Sequence, residues 1–138
     1  MKDTLIKKIN KSNWWHVPPV DPNAYKKRGK FLVSTYQQAE FYGRPSDKPE
    51  RVKINNPLFG FSELEILKNL FSKEKAEKLL NKVLNSKNYY DDRIDLDAKM
   101  YRKAKRLGFD CIILMTIAGR KSLENNRKPH SIELNLIV

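Results

Sequence analysis

The spacing of apolar positions changes several times along this chain, and it predicts strands in four places. Residues 31–33 form a short apolar run that predicts a strand over 31–34. Residues 110–116 form a nearly continuous run that is typical of a strand covered on both faces. Residues 51–55 and 131–138 alternate apolar and polar positions, which is typical of strands with one buried face. The chain therefore has at least four short strands.

Three helices are predicted between the second and third of these strands. Ser62 and Glu65 form a capping-box pair at the start of the first helix, and Ser72 caps the second. The third spans roughly residues 91–107, because acids stand at its start, basic residues stand at its end and Gly108 follows. The apolar face expected for this third helix consists of Ile94, Ala98, Tyr101, Ala104 and Leu107.

The remaining segments are shorter and complete the predicted architecture. Residues 36–42 take up helical spacing directly after the first strand, and residues 56–62 are predicted as a turn. Residues 1–13 are predicted as a basic N-terminal helix or arm, and residues 118–129 as an exposed basic loop or a short helix. We therefore predict one α+β domain over residues 1–138, with a helical block inserted between strands.

The composition is typical of one domain that folds in a reducing compartment. The chain has 138 residues, and 40% of them are hydrophobic, which is enough to form a core. Its single cysteine, Cys111, excludes a disulfide within the chain. No segment resembles a secretory signal, and no apolar run is long enough to cross a bilayer. We therefore expect a cytoplasmic protein without a membrane partner.

No metal site is expected from the pattern of possible ligands. The chain has two histidines and no Cys–His cluster, so a zinc centre is not indicated. Asp91, Asp92 and Asp95 stand within about one helical turn and could together hold Mg²⁺. Acids in the first turn of a helix are ordinary partners of the helix dipole, and this second interpretation is the stronger one.

The charge of the chain is its most distinctive global property. Lys and Arg number 28 against 16 Asp and Glu, which gives a net charge of +12 and attracts polyanions such as nucleic acid. Trp14 and Trp15 stand near several lysines and could stack on bases. Alternatively, the cations are solvated helix faces and the two tryptophans close the core. The basic residues predicted to contact phosphates are Lys26, Lys27, Arg28, Arg120 and Lys121.

Four motifs follow one another in a recognisable order along the chain. They are STYQQAEFYG, VKINNPL, LGFDCIIL and SIELNLIV. Their succession resembles the ADP-ribosyltransferase-like fold, particularly its small polymerase-type relatives in bacteria, archaea and phages, and the resemblance covers roughly residues 14–138. It implies a small mixed or antiparallel sheet that is split into two half-sheets, with NAD bound in the cleft between them. The implied activity is transfer of ADP-ribose to a macromolecule, and the positive charge favours a nucleic acid.

The resemblance also implies a role for individual residues. Glu133 would stabilise the ribosyl cation as nicotinamide leaves, and His16 would bind the ribose. In the family a Gly followed by Thr or Ser usually stands after this histidine, whereas Val17 and Pro18 stand here. The residues implied at the strand–helix corner are Ser34, Thr35 and Tyr36, with Phe31 or Tyr42 as the stacking face.

The same residues have simpler structural interpretations. His16 could be packed in an aromatic cluster, and Tyr36 and Tyr42 could belong to the core. Glu133 could lie on the solvent face of an edge strand. Two hypotheses follow: a NAD-dependent ADP-ribosyltransferase, or a non-enzymatic, basic nucleic-acid-binding α+β module of viral or mobile-element origin.

Overall fold

A computed structural model describes residues 2–138, and within them the chain forms seven helices and five strands. The helices are α1 (Lys2–Lys11), α2 (Ala24–Arg28), α3 (Tyr36–Glu40), α4 (Glu63–Leu70), α5 (Lys73–Leu84), α6 (Tyr89–Arg106) and α7 (Ile117–Glu124). The strands are β1 (Trp15–His16), β2 (Lys30–Val33), β3 (Pro57–Gly60), β4 (Cys111–Met115) and β5 (Ile132–Leu136). The predicted α+β class is confirmed.

All five strands pair in one continuous sheet, with the order β1-β2-β5-β4-β3. β3 and β4 run parallel, and the other neighbouring strands run antiparallel. The expected division into two half-sheets is not formed, because β5 lies between β2 and β4 and pairs with both along its length. The strand that carries Glu133 is therefore central in the sheet.

Helices cover both faces of this sheet. One face packs against α1 and α7 around a core that includes Leu134. The other packs against α4, α5 and α6 around a core that includes Ile112. We call these the α1–α7 face and the α4–α6 face. Because side chains alternate along a strand, Glu133 and Asn135 point to the α4–α6 face, opposite to Leu134.

The strand predicted at residues 51–55 is not formed. Its alternating apolar positions are buried as expected, but the backbone of Ile54 pairs with a side chain instead of a strand. The Asn10 amide donates to the Ile54 carbonyl oxygen at 3.0 Å and accepts from the Ile54 N–H at 2.9 Å. These two bonds replace the ladder that a neighbouring strand would supply, so alternation here reflects burial alone.

The neighbouring segment, predicted as a turn at residues 56–62, contains β3 instead. Asp110 holds its start, because the Asp110 carboxylate accepts from the N–H groups of Asn55 and Asn56 at 2.7 and 3.0 Å. β3 then pairs in parallel with β4, the strand that Asp110 precedes. A contact that is distant in the sequence therefore converts an apparent turn into a strand.

The two basic segments left open by the sequence are both helical. α1 is packed rather than a free arm, because Leu5 and Ile9 are buried against the sheet. α7 covers the first part of residues 118–129 and buries Leu123, whereas residues 125–128 form an exposed loop. Gly119 lets α7 approach the chain before β5, since a Cβ there would lie 2.7 Å from the His130 carbonyl oxygen.

The helical block between β3 and β4 begins at the predicted caps. The Ser62 hydroxyl accepts from the Glu65 N–H at 3.1 Å, and the Ser72 hydroxyl accepts from the Lys75 N–H at 3.3 Å. α6 is rotated relative to the prediction, because Ile94 and Leu107 are partly exposed. The residues that α6 buries are Leu96, Asp97, Met100, Tyr101 and Ala104. Across residues 2–138, no helix has the length and apolar character that a bilayer crossing requires.

Candidate functional site

An open cleft of about 540 Å³ lies at one end of the sheet. β2, β3 and β4 end there and β5 begins there, so loops and helix starts form its walls. Its lining includes Thr35, Gln38, Phe61, His130, Ser131 and Glu133. The volume is within the range of about 300–1,000 Å³ that is usual for small-molecule sites.

Glu133 is the only residue of β5 in this cleft, and its position contradicts the edge-strand interpretation. It pairs with Val33 of β2 on one side and with Leu114 of β4 on the other. The Tyr42 hydroxyl donates a hydrogen bond to Glu133 Oε1. Burial and the adjacent Glu133 carboxylate raise the pKa of Tyr42 above its ordinary value. The phenol therefore stays protonated and remains a donor to the carboxylate at neutral pH.

A smaller cavity of about 50 Å³ lies on the α4–α6 face and shares Glu133 with the cleft. This volume has room for a few water molecules. Phe31 and Asn135 line it from the sheet, and Arg93 and Asp97 line it from α6. A small cavity with charged and apolar walls therefore lies next to the cleft, beneath the inserted helices.

An ion-pair network forms the helical wall of this cavity. Arg93 donates to both oxygens of Glu63, one at 2.6 Å, and to Asp97 at 2.9 Å. Arg28 of α2 reaches the other Asp97 oxygen at 2.8 Å. Burial disfavours the charged guanidinium, but the bonds and charges of Glu63 and Asp97 outweigh it and raise the pKa of Arg93. The network fixes α2, α4 and α6 relative to one another.

Two polar atoms near this network are buried without a hydrogen-bond partner in the part of the chain that the structure describes. They are Arg28 Nε, a donor, and Asn135 Oδ1, an acceptor. The amide nitrogen of Asn135 is used, because it donates to the Arg28 carbonyl oxygen at 3.0 Å. Buried polar groups are nearly always satisfied, so these two atoms indicate a place for water or for a ligand's polar groups.

The corner residues Ser34 and Thr35 hold the local fold. The Ser34 hydroxyl donates to Gln38 Oε1 at 2.7 Å and accepts from the Ile132 N–H at 3.1 Å. The Thr35 hydroxyl caps α3 by accepting from the Gln38 N–H at 3.1 Å. Ser34 is buried, whereas Thr35 lies in the wall of the cleft. Their local bonds orient the start of α3 at the cleft.

His16 does not join Glu133 in one site. It pairs with Leu32, whose side chain lies in the α1–α7 core, so the strand register places His16 and Glu133 on opposite faces. The ring is 5% exposed, and its nitrogens contact the Phe31 carbonyl oxygen at 2.7 Å and the Tyr25 hydroxyl at 2.8 Å. Both nitrogens are occupied, and the ribose-binding role is not available to His16 in this arrangement.

The aromatic residues predicted to stack on ligands differ in exposure. Trp14 is 0% exposed, and its indole N–H donates to the Ile9 carbonyl oxygen at 2.9 Å, so it offers no face to a base. Trp15 and Tyr36 pack edge to face with ring centroids 5.1 Å apart. Phe31 is 38% exposed and borders the small cavity. Of the aromatic residues predicted to stack on ligands, Phe31 and Tyr42 are therefore the ones that lie near Glu133.

The predicted basic contacts divide into free and engaged side chains. Lys26 and Lys27 are exposed on α2, and Lys121 is exposed on α7. Arg28 is held by Asp97, and Arg120 pairs with Glu124 at 3.2 Å while lying over the Phe61 ring. Arg28 and Arg120 therefore serve the fold, and the lysines remain accessible.

Sequence reasoning missed the charged residues that surround Glu133. Arg93 and Asp97 are four residues apart on α6, a spacing that usually indicates an exposed helix pair. The available signal was the position of Asp97, one turn before Tyr101 and next to Leu96, on the side of the helix that is buried. Glu63 and Asn135 had no comparable signal, because their roles depend on contacts that are distant in the sequence.

Comparison with protein-family models, with curated proteins and with solved structures found no match to this chain. Within residues 2–138, no group of three or more His, Cys, Asp or Glu side chains is arranged to hold a metal ion. The site is therefore described by its own geometry: an open cleft, a central carboxylate with a phenol donor, and a charged wall.

Proposed function

We propose that this chain is a NAD-dependent ADP-ribosyltransferase that uses Glu133 and acts on a macromolecule. The observation that carries the proposal is the position of Glu133, on a central strand in the wall of an open cleft. A carboxylate on a central strand is uncommon unless it has a use, since such strands are usually apolar. The sequence motifs around the cleft support the same activity.

The proposed reaction gives Glu133 one clear task. The bond between ribose C1′ and the nicotinamide nitrogen breaks, and nicotinamide leaves with the bonding electron pair. The lone pair of a nucleophile on the target then forms a bond to C1′, and the nucleophile's proton passes to solvent. The Glu133 carboxylate stabilises the positive charge that develops on the ribose, and fixed charges of this kind are often the largest catalytic contribution.

The neighbours of Glu133 have supporting tasks in this proposal. Tyr42 fixes one carboxylate oxygen, which leaves the other free to face the ribose. Phe31 supplies an apolar face for the nicotinamide beside Glu133. His16 has no task in the proposed reaction, because its ring nitrogens are occupied on the other face of the sheet. Ribose binding is therefore assigned to the polar groups in the cleft wall, such as Thr35.

A thermal-shift titration with NAD tests binding, and release of nicotinamide in the presence of a mixed nucleic-acid and protein target tests transfer. We expect the melting temperature of the wild type to rise steadily with NAD concentration. Glu133→Gln should keep this shift and lower nicotinamide release by about a hundredfold or more. The matched control is Glu77→Gln, an exposed carboxylate on α5, which should change neither. A folded wild type that gives no shift at millimolar NAD would disprove the proposal.

A second candidate function is nucleic-acid binding without catalysis. The observation that favours it is the free positive charge: of 28 Lys and Arg, the ion pairs found within residues 2–138 engage Arg28, Lys30, Arg93 and Arg120. This candidate predicts binding that weakens steeply with salt and does not respond to NAD. The same thermal-shift experiment therefore separates the two functions.

A further inference from the structure

The second half of α6 carries an unusual concentration of positive charge. Residues 98–109 contain five cations and no acid. Three of the five, Arg102, Lys105 and Arg106, are exposed and stand three or four residues apart, so they are neighbours on one side of the helix. The cations therefore form a cluster rather than an even scatter.

α2 packs against α6 next to the start of this part of the helix and adds further cations. Arg28 at the end of α2 contacts Asp97 of α6 at 2.8 Å, and Lys26 and Lys27 project from α2 into solvent. Near the end of β5, the Val138 carbonyl oxygen accepts from Lys105 Nζ at 3.3 Å, which joins α6 to the strand that pairs with β2. The α2–α6 surface is defined here as Lys26, Lys27, Arg102, Lys105 and Arg106.

Helix dipoles do not account for this charge. Each helix C-terminus carries a partial charge equivalent to about −0.5, so the ends of α2 and α6 together offer about −1 against five exposed cations. The ion pairs found within residues 2–138 use other cations, Arg28 and Arg93 among them. Most of the positive charge on the α2–α6 surface is therefore left for a partner.

We propose that the α2–α6 surface binds the phosphate backbone of a nucleic acid. Two arginines at i and i+4 present guanidinium groups that match phosphate oxygens, and the lysines extend the positive field. A membrane surface fits less well, because helices that lie on membranes need an exposed apolar face. The exposed aromatic and apolar residues Tyr89, Tyr90 and Ile94 lie near the start of α6, and Leu107 follows its end. Between them Met100 and Ala104 are buried, so no continuous exposed apolar face accompanies the cations.

The α2–α6 surface adjoins the candidate site through shared residues. Asp97, which holds Arg28, also lines the cavity that contains Glu133. Phe31 lines the same cavity, and the Arg28 guanidinium lies 5.9 Å from its ring centroid. The Arg28–Asp97 pair is therefore the link between this surface and the cavity that contains Glu133. That a nucleic acid bound here is also the target of transfer rests on the proposed function, whereas the binding itself does not.

Fluorescence anisotropy with labelled oligonucleotides tests the surface directly. The probes are a single-stranded DNA, its duplex and an RNA of the same sequence, each titrated with protein between 50 and 200 mM salt. Arg102→Glu combined with Arg106→Glu should weaken binding of the preferred probe at least tenfold at low salt. It should also reduce the slope of log K against log salt by roughly 1.5, since two phosphate contacts are lost and each contributes about 0.7–0.9 to the slope.

The matched control changes charge equally at another place. Lys78 and Lys82 are exposed on α5 with the same four-residue spacing, so their double change to Glu alters net charge by the same amount. This control should weaken binding less than threefold. Equal loss in both double variants would show a response to overall charge and would overturn the assigned surface.

Two further outcomes would overturn the proposal, and two controls check the variant. No binding by the wild type at 50 mM salt would overturn it, and so would tighter binding to phosphatidylserine vesicles than to any oligonucleotide. Circular dichroism and melting of the Arg102→Glu/Arg106→Glu protein should match those of the wild type. If that variant fails to fold, Arg102→Gln combined with Arg106→Gln provides the same comparison. The shift with NAD should be unchanged in either variant, so a failure of the NAD site is detected separately.

Discussion

The two faces of β5 share one backbone and differ in almost every other respect. Ile132 and Leu134 are fully buried in the apolar core under α1 and α7. Glu133 and Asn135 alternate with them and face ion pairs, a phenol and a small cavity with charged residues in its wall. Alternation along β5 therefore places residues that stabilise the fold on one face and residues of the candidate site on the other. Residues that are neighbours in sequence should respond to substitution in very different ways.

The largest expected effect concerns Cys111, which is buried on the apolar side of the sheet. Burial and the nearby Asp110 raise the pKa of the Cys111 thiol, so the reactive thiolate is scarce in the folded protein. We expect a thiol reagent to label native protein at least about a thousandfold more slowly than protein in urea, given a stability of about 5 kcal/mol or more. Rapid native labelling would contradict a closed α1–α7 face.

Leu134→Ala should cause the next largest change. Leu134 is 0% exposed in the middle of the sheet, and truncating a buried leucine usually lowers the free energy of unfolding by about 2–5 kcal/mol. Urea denaturation measures the loss. Leu84→Ala on exposed α5 is the control and should change the free energy by less than about 0.5 kcal/mol.

Asp97→Ala should have an intermediate effect on the other face. It removes the carboxylate that both Arg28 and Arg93 contact and leaves two partly buried guanidinium groups without it. Because both arginines remain partly exposed, we expect the free energy of unfolding to fall by about 2 kcal/mol. Breaking a fully buried ion pair usually costs about 3–5 kcal/mol. Asp95→Ala, an exposed acid on the same helix, is the control for urea denaturation. Equal stability of the two variants would contradict a structural role for the network.

Tyr42→Phe should have the smallest effect on stability and a distinct dependence on pH. The folded pKa of Tyr42 is raised above its ordinary value near 10, so its contribution is fully present below about pH 10. The contribution is lost as pH rises through the folded pKa. We expect Tyr42→Phe to lower the free energy of unfolding by less than about 1 kcal/mol at neutral pH, because the Tyr42–Glu133 hydrogen bond is partly exposed to solvent.

Absorbance at 295 nm, which follows tyrosinate formation, provides the measurement for Tyr42. The chain has six tyrosines, and Tyr42→Phe should lack a late ionisation step that lies above the ordinary tyrosine pKa. Tyr90→Phe, which removes a strongly exposed phenol, should leave that late step in place. A Tyr42 phenol that ionises together with the exposed tyrosines would contradict its hydrogen bond to Glu133.

The helices could be predicted from sequence because their signals are local. Ser62, Ser72 and the charges of α6 act within a few residues, and the structure shows all three helices near the expected positions. The second strand could not be placed, because alternation at residues 51–55 reports burial, and Asn10 supplies the backbone partners that a strand would need. β3 depends on Asp110, which is more than fifty residues away.

The candidate site likewise could be predicted only where its signals are local in the sequence. Glu133 and Tyr42 were identified from short motifs, and the structure brings them together. His16 was assigned to the same site, but the register of β1 against β2 places it on the other face, and one sequence carries no sign of register. The acids and arginines around Glu133 were missed because ion pairs across helices leave no spacing pattern.

The central position of β5 has a consequence for how the chain reaches this structure. β5 is synthesised after β2 and β4, yet it must enter between them, and its pairing joins Lys30 to Leu136 across 106 residues of sequence. Until β5 leaves the ribosome, β2 and β4 have no common neighbour, and the sheet remains in two unfinished parts with exposed apolar edges. Pairing at such long range slows folding, and incomplete sheets are prone to aggregate. Newly made chains should therefore be most prone to aggregate before the strand that carries Glu133 is in place.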